Sequence, residues 1–276
     1  GVIGPGEARL QLNRIAFHVA TPALIFSSVA VSDTDAFFSP VILVIAVATV
    51  LTMLIYWAIS AVWFKQDAAE TMAGAASASY YNSVNIGLPI ATYVLGDPTY
   101  VIPALVLQMA VLSPIVIAGL DRGASGFVKS VLSGLTAPVV VAAFAGFAVS
   151  AASWTVPEPV LAPLEILGGA SIPLILMSFG ASLTGEKVPT SHRGPTLTAT
   201  ALKLVGMPAV AWVLARLMRL DGTEMYAALI LCALPTAQNV YNYAATYRSG
   251  EVICRDTVFL TTFLALPAML LIAGVF

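Results

Sequence analysis

The sequence predicts an all-α polytopic membrane protein, built as an inverted repeat of five helices each with two crossing broken helices. Three observations predict it: a shortage of charge, a series of long apolar runs, and short motifs recurring at a nearly constant offset. Of 276 residues only 12 are Lys or Arg and 14 Asp or Glu, 9% of the chain, against 59% hydrophobic. A soluble domain carries about 25% charged residues, roughly 69 at this length, because its surface needs polar cover. Mean hydropathy is +0.93, which places the chain in the membrane class. A net charge of -2 offers no basic face to nucleic acid, and the apolar content excludes intrinsic disorder. Cys232 and Cys254 fall in or beside apolar segments, so they read as packing thiols rather than a disulfide framework. Gly1–Arg9 is short and turn-like and does not read as a cleavable signal.

A bilayer core of about 30 Å takes roughly 20 apolar residues per helix. Along the chain this gives spans near 10–31, 37–63, 70–95, 98–119, 127–150, 158–183, 196–218, 224–248 and 252–275, nine in all. The polar connections are too short for a separate soluble domain. The runs are continuous rather than alternating, which argues against a β-barrel. If loops alternate sides, one side holds Arg9, Arg14, Lys65, Arg122, Lys129, Lys187, Arg193, Arg248 and Arg255, the other only Arg216 and Arg219. The cation-rich side is cytoplasmic. The expectation is therefore a plasma (inner) membrane protein, lipid on its outer faces, N-terminus inside and C-terminus outside.

The two halves resemble each other at an offset of about 151–154 residues. Thr21-Pro22-Ala23-Leu24-Ile25 matches Ile172-Pro173-Leu174-Ile175, and each is followed by small residues. Asn85 matches Asn239, Ala91-Thr92-Tyr93 matches Ala245-Thr246-Tyr247, Gly96-Asp97 matches Gly250-Glu251, and Ser113-Pro114 falls near Leu266-Pro267. The offset divides the chain into a first repeat, 1–119, and a second, 120–276. It gives the second half five helices and the first half four, so a helix preceding Gly1 is expected to be absent. An odd number of spans per repeat inverts one half relative to the other, as in many secondary transporters.

The third span is made of small residues, Ala73-Gly74-Ala75-Ala76-Ser77-Ala78-Ser79, where a lipid-facing helix is rich in Leu, Ile and Phe; small residues on every face mean close helix contacts. It continues as Tyr80-Tyr81-Asn82-Ser83-Val84-Asn85-Ile86-Gly87-Leu88-Pro89, with the polar stretch about 18–30 Å along a helix counted from Glu70. Proline removes an amide donor and clashes with the preceding turn, and unwound backbone at membrane depth needs protein or a wet cavity to satisfy it. The eighth span repeats the device in Ala233-Leu234-Pro235-Thr236-Ala237-Gln238-Asn239-Val240-Tyr241-Asn242. Interrupted helices at corresponding places in two halves point to a transporter's central site; the alternative is a pair of kinked helices whose asparagines bond their neighbours.

Lys203 lies about eight residues, roughly 12 Å, into its span, near mid-bilayer, where a bare cation costs at least about 2.5–3.5 kcal/mol. It faces a cavity, an anionic ligand or a carbonyl cluster, or it snorkels toward the cytoplasm. Gln108 and Thr261-Thr262 sit at similar depth and either line the same cavity or bond neighbouring helices. Glu165 and Arg14 read as interfacial or dimer contacts rather than parts of a proton step, and His18 as a packed core histidine.

No acid lies between Thr71 and Gly96 or between Met225 and Gly250, although a cation/proton antiporter of this architecture would hold carboxylates at the crossing. The stretch Gly180-Ala181-Ser182-Leu183-Thr184-Gly185-Glu186-Lys187 lacks the Gly-Lys-Ser/Thr ending of a phosphate loop. His18 and His192 are too isolated to form a metal site. No cofactor is expected, and no nucleophile–base pattern suggests an enzyme.

These segments together resemble the auxin efflux carrier family in its short bacterial form, over nearly the whole chain. Leu12-Asn13-Arg14 through Phe26 is similar to the family's second helix, and Asn82-Ser83 with Gly87-Leu88-Pro89 to its fourth-helix crossover motif. Ala137-Pro138 through Gly146 and Ser171-Ile172-Pro173 through Leu183 resemble helices six and seven. Lys203-Leu204-Val205-Gly206-Met207-Pro208 resembles helix eight, and Ala233-Leu234-Pro235-Thr236 with Ala244 to Gly250 the ninth-helix crossover. The first family helix is absent, and the long central loop of plant auxin exporters is reduced to about Leu120–Phe127.

The resemblance implies a scaffold, here 10–31 plus 127–183, through which members often form homodimers. It also implies a moving transport domain, here 37–119 plus 196–275, and an organic-anion substrate at the crossing of helices four and nine. The expected function is transport of small mono- or dicarboxylates or auxin-like acids by elevator-type alternating access. Asn82, Ser83, Asn85, Gly87, Pro89, Gln108, Lys203, Pro235, Thr236, Gln238 and Asn239 are the expected substrate-binding residues. Half-helix N-termini suit a carboxylate, the amides supply neutral hydrogen bonds, and Lys203 adds positive potential. The alternatives are sodium-coupled symport of an amphipathic acid, and a membrane ligand sensor without turnover.

Overall fold

The computed structural model describes residues 11–12, 14–31, 39–120, 136–174, 177 and 193–275, and among these every regular element is helical. Arg9, Asn13, Arg122, Lys129, Lys187, His192 and the stretch 180–187, all used above, lie outside the described residues.

In chain order the helices are α1 (Ala16–Ala30) and α2 (Pro40–Phe64), α3 (Ala68–Ser79), and α4, a turn Ser83–Gly87 running into Leu88–Tyr93. Next come α5 (Pro98–Leu107), α6 (Ser113–Leu120), α7 (Pro138–Ala151), α8 (Glu158–Gly169) and α9 (Arg193–Leu217). The chain finishes with α10 (Gly222–Cys232), α11 (Gln238–Tyr247) and α12 (Glu251–Ala273). By length and composition α2, α9 and α12 can each cross a bilayer unaided. These long apolar helices make the chain a multi-pass membrane protein. The expected spans 70–95 and 224–248 appear instead as paired helices, α3 with α4 and α10 with α11.

Four of the prolines do not break their helices. π-helical turns occupy Ala16–Ala20, Ser83–Gly87, Gln108–Leu112 and Leu202–Gly206. Each ends two residues before a proline: Pro22, Pro89, Pro114 and Pro208. A proline has no N–H and its ring collides with the carbonyl four residues back; a wider i→i+5 turn just ahead of it moves that carbonyl aside. The helix absorbs the proline and continues. The interruptions fall instead at Tyr80–Asn82, which contains no proline, and at 233–237.

The chain forms two compact units. The first comprises 1–38, 84–110 and 132–187; the second comprises 39–83, 111–131 and 188–276. Residues 84–110, assigned above with the transport part, pack in the first unit because α5 carries Ile102 and Leu105 into a core with Ile25, Val29, Val139 and Val140. There α7 and α8 approach α1 through glycines. A Cβ on Gly146 would lie 2.9 Å from Val29 Cβ, and one on Gly168 2.8 Å from the Leu24 Cα. Thr21 and Ser171 hydroxyls share a hydrogen bond of 2.8 Å. Exposed sites on this unit include Arg14, Glu165 and His18. His18 is thus not a packed core residue: its Nδ1 lies 3.1 Å from the Arg14 carbonyl, and its ring meets the edge of Phe17.

In the second unit, α3 is buried along its length among α2, α6, α9 and α12. Its small residues permit this: Gly74 lies against the Tyr56 ring and Gly119 of α6 against Met72. Asp67 caps α3 by accepting the Glu70 N–H at 2.8 Å, and Asp221 caps α10 by accepting the Glu224 N–H at 2.7 Å. These caps, 154 residues apart, follow Lys65 (φ 50) and Arg219 (φ 57), also 154 apart and both left-handed. Gly96 (φ 81) and Gly250 (φ 64) repeat the same spacing. The offset read from the motifs therefore recurs in the backbone itself.

Candidate functional site

The two interruptions that lie within the second unit meet each other. A helix leaves its last carbonyls without intrahelical donors, and a buried backbone polar group needs a partner. Here each broken helix supplies the other. The Asn82 N–H donates to the Pro235 carbonyl at 2.9 Å and the Ala237 N–H to the Tyr80 carbonyl at 3.2 Å. Together they make an antiparallel bridge centred on Tyr81 and Thr236.

Thr236 fastens this bridge at two further points. Its hydroxyl donates to the Ser77 carbonyl, in the last turn of α3, at 2.6 Å. Its N–H donates to Thr261 Oγ1 on α12 at 3.0 Å, and the Thr261 hydroxyl in turn donates to the Thr257 carbonyl at 2.7 Å. Thr261 therefore bonds the neighbouring segment, one of the two roles left open for it. Beneath, the Ser77 hydroxyl donates to the Ala73 carbonyl at 2.8 Å and lies 3.3 Å from Cys254 Sγ.

Lys203 is completely buried, within the π-helical turn of α9. It does not snorkel: Nζ donates to the carbonyl of Cys232, the last residue of α10, at 2.7 Å, and lies 3.1 Å from Met207 Sδ. Of the alternatives above, a carbonyl partner is the one realised. A cation at a helix C-terminus meets the negative end of the helix dipole.

The structure thus brings together Asn82, Ser83, Lys203, Pro235 and Thr236, all buried, with Gln238 partly buried and Asn239 exposed at the start of α11. Asn85, Gly87, Pro89 and Gln108 belong to the first unit. Gly87, Pro89 and Gln108 are buried there, and Asn85 partly so. A cavity of about 350 Å³ in that unit, lined by Val31, Ser153, Trp154 and Leu161 among others, contains none of the candidate residues.

Sequence reasoning missed three contributors. The hydroxyls of Tyr80, Ser113 and Tyr243 form a chain, with Tyr80 bonded to Ser113 and Ser113 3.2 Å from Tyr243, tying α3, α6 and α11 together. Ser77 was read only as a small residue. Asp256 is buried in α12, with Arg255 Nε and Nη2 at 2.8 and 2.7 Å from the same oxygen, Oδ1. The matched Asp-x-x-Glu caps were the signal in the sequence that would have aligned the two corners directly.

Long apolar helices define the class as a multi-pass membrane protein. The chain belongs to the membrane transport protein family, whose model matches residues 3–129 and 127–273. It is similar to a protein of Rhizobium meliloti (strain 1021) described as "Putative malonate transporter", 27% identical over 96% of this chain and 86% of that one. It is also similar to an uncharacterized transporter of Methanocaldococcus jannaschii, 26% identical over 39% of this chain and 34% of that one. The family bears out the resemblance drawn from the motifs, and with it a transporter rather than an enzyme.

Proposed function

We propose that this protein is a secondary carrier of small organic anions, mono- or dicarboxylates of the malonate type, working by elevator-type alternating access. The observation that carries the reading is the reciprocal bridge between Tyr81 and Thr236 in a chain of the membrane transport protein family. Segments matched across the two halves bond each other twice, Thr21 with Ser171 and Tyr81 with Thr236. Contacts of that kind support an inverted repeat with crossing broken helices. The similarity to a protein described as a malonate transporter supports the substrate class.

In this reading Asn82, Ser83, Gln238 and Asn239 hydrogen-bond the carboxylate. Pro235 and Thr236 shape the interrupted backbone, and Lys203 raises the local potential. Neutral donors select an anion and still release it, because no ion pair has to be broken in a desiccated site. The crossing helices move against a scaffold of 10–31 and 127–183, which also forms a homodimer. The protein sits in the inner membrane with its cation-rich loops in the cytoplasm.

The test is counterflow of labelled malonate and related acids into proteoliposomes. Saturable counterflow by the wild type, lost in Asn82→Ala or Asn239→Ala with the purified variants still monodisperse, is the expected outcome. Unchanged transport by both variants refutes the site assignment. Binding without counterflow makes the protein a sensor rather than a carrier.

A further inference from the structure

We infer that the Tyr243 hydroxyl is a further substrate donor, and that it selects dicarboxylates over monocarboxylates by taking the carboxylate that Asn239 does not hold. The inference deepens the carrier reading and rests on it for the substrate class.

Tyr80, Ser113 and Tyr243 all belong to the second unit. Tyr80 follows the last turn of α3 and is fully buried, Ser113 opens α6 and is buried, and Tyr243 stands half-buried on α11. Their hydroxyls are joined through Ser113: Tyr80 bonds Ser113, and Ser113 Oγ lies 3.2 Å from the Tyr243 hydroxyl. Each hydroxyl owns one proton and can also accept. Three joined in this way use two protons between neighbours and keep one. The third closes back between Tyr80 and Tyr243, which lie within reach of each other, or it turns outward. Tyr243 alone of the three has exposed surface through which to present it. An anion outside Tyr243 draws the protons one way, from Tyr80 to Ser113 to Tyr243, and each bond then polarises the next. The group becomes a donor to an anion without carrying any charge of its own.

The helix that carries Tyr243 points to where that anion sits. Asn239 and Tyr243 are four residues apart in α11, on one face with about 5–6 Å between their Cβ atoms. Asn239 and Asn242 are exposed, while Val240 and Ala244 are buried. Polar groups at membrane depth turn to protein or to water rather than to lipid, so this face of α11 borders an aqueous space. A carboxylate held at Asn239 has Tyr243 one turn away, within reach of the second carboxylate of a short diacid. A monocarboxylate fills the first place and leaves Tyr243 to Ser113 and Tyr80.

The experiment measures binding to purified wild type, Tyr243→Phe and Ser113→Ala through the melting midpoint, which rises with any ligand that binds the folded state. The probes are malonate and monomethyl malonate, which has one carboxylate and one neutral ester. The quantity read is the ratio of the two apparent dissociation constants within each protein, so looser packing, which weakens both, leaves it unmoved. Wild type should favour malonate by about tenfold or more, the scale of a hydrogen bond to a charged group. Tyr243→Phe should lose that preference, and Ser113→Ala, which removes the hydroxyl behind Tyr243, should lose part of it. A Tyr243→Phe protein with the wild-type ratio overturns the inference. If that variant does not fold, a wild type that binds the ester as tightly as malonate overturns it, as does a Ser113→Ala protein with the wild-type ratio. A wild type that responds to neither probe sinks the carrier reading and the inference with it. One that binds malonate without any dependence on Tyr243 sinks the inference alone.

Discussion

The two broken helices reach the bridge between Tyr81 and Thr236 by different means. The first is interrupted at Tyr80–Asn82 without any proline, after a helix of alanine, serine and glycine that is buried on all sides. The second is interrupted at 233–237 around Pro235, after a helix whose last carbonyl is held by a lysine. The first end is closed by the Thr236 hydroxyl. What interrupts these helices is less a proline than a set of partners across the bridge. Tyr80 and Asn82 find them in Ala237 and Pro235. The charge stands on one side alone: at the offset of 154 residues Lys203 faces Thr49, and both are buried.

That asymmetry can be broken outright. Thr49→Lys places a cation in α2 at the same offset of 154 residues from Lys203, at a position that is fully buried. An uncompensated buried charge costs about 3–5 kcal/mol, so the variant should elute from size exclusion as aggregate, or melt far below wild type. A Thr49→Lys protein as stable as wild type would mean that the first half accepts a cation equally well.

The reciprocal closure is sharpened by a double-mutant cycle. Thr236→Val removes the donor to the Ser77 carbonyl, and Thr261→Val the acceptor of the Thr236 N–H. Each leaves a buried group unsatisfied and should cost about 1–3 kcal/mol. Because both act on one residue, the double variant should depart from additivity by at least about 0.5 kcal/mol, read from melting midpoints. Strict additivity would show that the two bonds are not parts of one device.

The smallest effects compare the left-handed glycines. Gly250 (φ 64) also lies against Ala73, where a Cβ would collide, while Gly96 (φ 81) has nothing within 4 Å. Gly96→Ala should cost only the left-handed penalty, about 1–2 kcal/mol. Gly250→Ala should lower the melting midpoint further, by the cost of moving α3 away. Equal shifts would show that α3 gives way freely.

Much of this was legible in the sequence. Nine per cent charge and long apolar runs require helices in lipid, since only a helix or a closed barrel satisfies the backbone there. The motif offset of 151–154 located both interruptions to within a few residues, because polar groups at membrane depth have few places to go. Lys203 was conspicuous for the same reason. Less visible was the fate of each proline. Pro89 looks like the breaker of its helix, yet the π-helical turn Ser83–Gly87 absorbs it, and the interruption falls seven residues earlier. The expected grouping of 84–110 also differs, because Ile102 and Leu105 would fit any apolar core and the sequence cannot say which.

The sequence by itself therefore determined the solvent, the periodic offset and the polar residues that need partners, since those follow from local chemistry and spacing. The tertiary structure alone decided the partners. It set the Thr236 hydroxyl on the Ser77 carbonyl and the Lys203 ammonium on that of Cys232, 159 and 29 residues apart in the chain. A buried donor is committed to bond something, but its chemistry is the same whichever carbonyl the packing of the helices brings within 3 Å.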